Sequence, residues 1–129
     1  MRAVADGNGM HVPRTRLRPH PSSAGAARRF VADVLVSRDF SRESVERAML
    51  LTSEIITYAI ARTGTDVELE VVADHAMVRV EVHNLATSSG RHHDPGGAYR
   101  LQFLHALSEA WGIDEAGASG SSTWFEIRS

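Results

Sequence analysis

The chain has 129 residues, 43% of them hydrophobic, a formal net charge of −2 and no cysteine. That length suits one domain around a single core, and the near-neutral balance gives no electrostatic reason to expect nucleic acid or a membrane surface. Without cysteine there are no disulfides or thiolate metal sites, and because all fourteen basic residues are arginine, a phosphate site here would lack the compact lysine ammonium.

Met1 to Pro13 combine Gly, Asn, Asp and Pro without the apolar run of a signal peptide, so residues 1–13 are expected to be a flexible lead-in and residues 14–129 one domain. No segment approaches the roughly twenty consecutive apolar residues of a membrane helix, since even the best candidate is broken by Glu54. A soluble cytoplasmic protein is the expectation.

From Arg14 to Arg18 charged residues alternate with Thr15 and Leu17, and Pro19 and Pro21 follow, as in a short edge strand with a solvated arginine face. Ser22 or Ser23 is placed to cap a helix whose apolar face is Ala27, Phe30, Val31, Val34 and Leu35 and which ends near Arg38. A second helix is predicted over Arg42 to Thr63. Ser41 is its N-cap, Glu43 suits its positive end, and Gly64 suits a left-handed stop. Val45, Met49, Leu50, Ile56, Ala59 and Ile60 form its apolar stripe, with Glu54 inside that run.

Val67, Leu69 and Val71 alternate with Glu68 and Glu70, and Val78, Val80 and Val82 with Arg79, Glu81 and His83; a turn at Asp74 to Ala76 makes these a hairpin. Leu85 to Ala98 reads as a loop, Tyr99 to Ala110 as a helix carrying Leu101, Leu104 and Leu107, and Trp111 to Glu115 with Ser122 to Arg128 as a last strand pair turning at Ala116 to Ser121. The order predicts an α+β two-layer sandwich, about three helices on one face of a mainly antiparallel mixed sheet.

Two segments are the most specific: Ser53-Glu54-Ile55-Ile56-Thr57-Tyr58-Ala59 on the second helix and Gly120-Ser121-Ser122-Thr123-Trp124-Phe125 near the end. With the element order, they make the chain resemble the small GHKL-type ATPase domains of bacterial anti-sigma-factor serine kinases, over nearly all of Arg14 to Ser129. In that family the helix motif is Glu-Leu-Val-Thr-Asn-Ala followed two residues later by His. The Glu acts as general base, and the Asn one helical turn on holds the magnesium of ATP. The resemblance therefore gives Glu54 the base position, while Tyr58 stands at the magnesium ligand and Arg62 at the His. A phenol is a poor ligand for an ion that demands compact oxygen donors in octahedral geometry.

The family's adenine-binding Asp corresponds most nearly to Asn84, whose carbonyl oxygen can still accept from an adenine amine. Its glycine-rich phosphate loop corresponds to Gly96 and Gly97, followed by Tyr99 and Arg100 where the family has a small and a hydrophobic residue; Thr123 is retained. Plainer readings stand beside these. Glu54 can point to water, Tyr58 can be a core aromatic filling a former nucleotide cavity, and Gly96-Gly97 can be an ordinary turn. His92 and His93 beside Asp94 lack a third ligand at helical spacing and read as solvated, so no metal site is expected.

The function implied by the resemblance is a regulator in transcriptional control, working by contact with a sigma factor, an anti-anti-sigma antagonist or another transcription regulator. Its ATP binding is expected to be weakened or lost, as in a pseudo-kinase. The alternative is an active ATP- and Mg-dependent serine/threonine kinase phosphorylating an anti-anti-sigma-type partner, and ATP binding without turnover lies between. The family also implies a homodimer.

Overall fold

Four strand pairings, all antiparallel, organise the computed structural model, which describes residues 12–84, 97–115 and 120–129. Among these residues the elements are β1 (Arg14–Leu17), α1 (Ser22–Ser37), α2 (Arg42–Thr63), β2 (Val67–Ala73), β3 (Met77–Asn84), α3 (Gly97–Leu107), β4 (Ala110–Glu115) and β5 (Ser121–Arg128). The sheet order is β1-β2-β3-β5-β4, so β1 is an edge strand. The lead-in at residues 1–11, most of the predicted loop after Asn84, including His92, His93, Asp94 and Gly96, and the turn at 116–119 lie outside the described residues.

The two-layer α+β architecture is as predicted, but the sheet is antiparallel at every pairing where a mixed sheet was expected. Connectivity supplies the reason. Two helices, α1 and α2, separate β1 from β2, so the chain reverses three times and the strands meet antiparallel. The single crossover helix α3 does make β3 and β4 parallel to each other, but β5 is inserted between them and opposes both.

Period-two alternation assigns one face of the sheet to the core. Leu17, Val67, Leu69, Val71, Val78, Val80, Val82, Phe125 and Ile127 are buried there against Ala27, Val31 and Leu35 of α1 and Leu104 of α3. From α2 come Val45, Ala48, Leu51, Ile55, Ile56 and Ala59. Leu50, placed in the predicted stripe, is 41% exposed, because five residues from Val45 is far round the helix; Leu51 and Ile55 fill the core instead. Each fully buried aliphatic side chain contributes about 1.5–3 kcal/mol, against about 0–1 kcal/mol for an exposed ion pair such as Arg42–Glu46. Helix-on-sheet packing therefore rests on this stripe.

The helix ends follow local chemistry. Ser41 Oγ accepts from Ser44 N at 3.2 Å, and Gly64 ends α2 at φ 66° with its N–H on Ile60 O at 2.7 Å, both as predicted. Neither Ser22 nor Ser23 caps α1. The N-cap position is Pro21, His20 Nδ1 accepts from Ser22 N at 3.1 Å, and Ser23 Oγ is turned away to donate to Arg18 O at 2.6 Å. At its other end, Phe40 N bonds Leu35 O and Asp39 N bonds Val36 O, each at 3.1 Å, with Asp39 at φ 63° and Phe40 buried. This is a Schellman ending with aspartate in the left-handed position. The third helix stops at Leu107, three residues before its predicted end, because Ala110 pairs with Glu126 as the first residue of β4.

The hairpin turn is held by Asp74, whose Oδ1 accepts from Ala76 N at 2.8 Å and Met77 N at 2.9 Å. These backbone donors, Ala76 first and Met77 second, hold its carboxyl below the ordinary aspartate value.

Two stability predictions follow from these ends and turns. Asp39→Gly relieves a left-handed L-residue at an exposed position and is expected to raise stability by about 0.5 kcal/mol in urea titrations. The depressed Asp74 carboxyl stabilises the fold above its unfolded value, and that contribution is lost as pH falls through the folded value. Asp74→Asn, which keeps an acceptor oxygen, is expected to show less acid destabilisation than the wild type between neutral pH and pH about 3.

Candidate functional site

Among the described residues, those assigned by resemblance to a nucleotide pocket stand on α2, β3, α3 and β5. Spacing of four puts Glu54, Tyr58 and Arg62 along one stripe of α2, all half-buried beside the buried Ile55 and Ala59. Arg62 Nη1 donates to Tyr58 Oη at 3.0 Å, and its guanidinium carbon lies 5.6 Å from the ring centroid. The positions matched to a magnesium ligand and its neighbouring His thus hold a phenol and a guanidinium bound to each other.

Asn84 ends β3 on the core-facing side and is 2% exposed. Its Nδ2 donates to Ala59 O at 2.8 Å and to Thr63 Oγ1 at 3.0 Å, while Oδ1 accepts from Ser121 Oγ at 3.3 Å. The carboxamide therefore ties the last turns of α2 to the ends of β3 and β5. The oxygen offered by the sequence reading to an adenine amine already has a donor, and the amide hydrogens go to the helix.

Thr123 is 2% exposed, on the same sheet face as Phe125, with Val82 and Ile113 as its registered neighbours on either side. Gly120 precedes this strand at φ 94°, a backbone region open to glycine and strained for other residues. Gly97 is the first residue of α3. Contacts thus unite Asn84 with α2 and β5, and Tyr58 with Arg62.

Sequence reasoning missed Thr63 and Ser121 as partners of Asn84, although the predicted end of α2 put Thr63 in its final turn. It also passed over Glu70, Glu81 and His83, which gather on the outer sheet face. Part of the signal was there: Glu70 and Glu81 stand on either side of the predicted turn, four residues before Asp74 and five after Ala76, and the observed register, closing at Ala73 and Val78, sets them opposite one another with His83 following on the same face.

No protein-family model matches the chain, and no curated protein matches it.

Asn84 supplies a direct test of its structural role. Asn84→Ala leaves the Ala59 carbonyl without this donor and is expected to cost about 1–3 kcal/mol in chemical denaturation. Asn84→Asp sets a carboxylate against that carbonyl and is expected to cost more.

Proposed function

We propose that this chain is a regulatory protein, resembling anti-sigma-factor serine kinases of the GHKL type, that acts by protein–protein contact with weakened or lost ATP binding. The observation that carries the reading is the Tyr58–Arg62 pair at the position matched to the magnesium ligand. Phosphoryl transfer depends on positioning the phosphates and neutralising their developing charge, and magnesium supplies much of both. A bulky phenol held by a guanidinium performs neither task for a cation. The engagement of Asn84 with α2 supports the same conclusion for adenine.

In this proposal Glu54 keeps the general-base position without a bound nucleotide to serve. The partner is a sigma factor, an anti-anti-sigma antagonist or another transcription regulator, and the protein acts in the cytoplasm as a protein-binding module, in the homodimeric form that the resemblance implies. No helix among the described residues is long and apolar enough to cross a membrane.

The test is thermal unfolding with millimolar ATP, with and without Mg²⁺, confirmed by calorimetric titration. No magnesium-dependent shift is expected. A ligand at a hundredfold excess over its dissociation constant would add about 2.7 kcal/mol, and such a shift would overturn the reading in favour of an active kinase. Tyr58→Asn alone is expected to leave the response unchanged, because Arg62 and the engaged Asn84 remain.

A further inference from the structure

The outer face of the β2–β3 hairpin gathers two carboxylates and an imidazole. Glu70 and Glu81 are registered partners across the hairpin, and His83 lies one step along the same face. Like charges directly opposite each other destabilise an antiparallel pair, and burial sharpens the cost, since the side chains of Glu70 and Glu81 are only 5% and 12% exposed.

The two oxygens of each carboxylate are used differently. Glu70 Oε2 takes Arg14 Nη2 at 2.8 Å and Glu81 Oε1 takes Arg79 Nε at 3.3 Å. Their other oxygens turn to one atom: His83 Nε2 is 3.5 Å from Glu70 Oε1 and 3.9 Å from Glu81 Oε2. One ligand atom from each of the three residues fits within a mutual separation of 4.8 Å. Ligands at zinc's 2.0–2.2 Å bond lengths in a tetrahedron stand about 3.3–3.5 Å apart. Bringing the set to those edges takes a shortening of at most about 1.5 Å in the longest separation.

From this geometry we infer that Glu70, Glu81 and His83 form a binding site for a divalent transition-metal cation, with zinc the best match. An imidazole beside two carboxylates selects zinc and its neighbours over magnesium, which takes oxygen ligands and retains water. Arg14 and Arg79 act as outer-sphere donors that orient the carboxylates. Arg79 is itself fixed, by Glu126 Oε2 at 3.1 Å and by the Trp124 ring, whose centroid is 3.9 Å from the guanidinium carbon. His83, 35% exposed, borders solvent and gives the ion a route in. The bound cation joins β2 to β3 and leaves a fourth coordination position for water or a partner's ligand.

The test uses the full chain, freed of metal by a chelator, titrated with Zn²⁺ and separately with Mg²⁺ by calorimetry, and with Co²⁺ by visible absorption. Saturable one-to-one Zn²⁺ binding is expected, with a raised Tm, Co²⁺ bands of a low-coordinate site and no comparable response to Mg²⁺. His83→Gln is expected to weaken Zn²⁺ binding at least tenfold and abolish the Co²⁺ bands. The double variant His92→Ala/His93→Ala is expected to bind as the wild type does. Circular dichroism of the metal-free variants verifies folding, and Glu81→Gln replaces His83→Gln if the latter fails to fold. Absence of Zn²⁺ binding, or binding undiminished in both His83→Gln and Glu81→Gln, overturns the inference and leaves the cluster as an ion-pair network.

Discussion

The burial of one stripe of α2 across the sheet is the constraint on which the remaining structure depends. Val45, Ala48, Leu51, Ile55, Ile56 and Ala59 enter the core together, so the helix has little rotational freedom about its axis. Everything else α2 carries is placed by that choice. The Glu54–Tyr58–Arg62 stripe falls at the margin of the core because it is adjacent to the buried one. Arg28 Nη1 of α1 reaches Ser53 Oγ at 2.9 Å, and Ser44 Oγ near the start of α2 reaches Arg128 O at 2.8 Å. Polar ties of this kind fix direction more than they add stability, since a net hydrogen bond is worth about 0.5–1.5 kcal/mol.

Much of the fold was legible because it is written in short-range patterns. The α2 limits came from Ser41 and Gly64, and the hairpin from two valine-rich alternations around Asp74 to Ala76. The errors fell where a neighbour in space outweighs local preference. His20 Nδ1 accepts the Ser22 N–H at the start of α1, Arg18 O draws the Ser23 hydroxyl away from a capping role, and pairing with Glu126 draws Ala110 out of a helix into β4. Leu50 was an error of another kind: it is apolar, but its angle on α2 points it away from the sheet.

The candidate site was legible as a set of positions and not as a set of contacts. Helical spacing predicted that Glu54 and Tyr58 share a stripe, yet nothing in the spacing says that Arg62 bonds the Tyr58 hydroxyl rather than turning to solvent. Asn84 shows the same limit more sharply. As a residue type it suits a purine amine and a helix carbonyl equally well, and only the approach of Ala59 and Thr63 decides which partner its amide meets. The outer face was harder still, because alternating charged residues usually mark a solvated surface, and the burial of Glu70 arises from its neighbours and not from its own sequence context.

The two faces of β3 meet at its end. Because strand residues alternate, His83 turns to the carboxylates of the outer face while the next residue, Asn84, turns inward to α2. Both belong to the same register with β2, in which His83 opposes Glu68 and Asn84 opposes Val67. A slip of one residue would send Asn84 to the outer face and bury His83 against the helix, disrupting both polar arrangements at once. The register is thus held from either side: apolar packing and the Asn84 amide oppose slippage from within, and the Glu70–Glu81–His83 group opposes it from without. Any ligand that draws those three side chains together therefore tightens the strand end on which the α2 contacts depend.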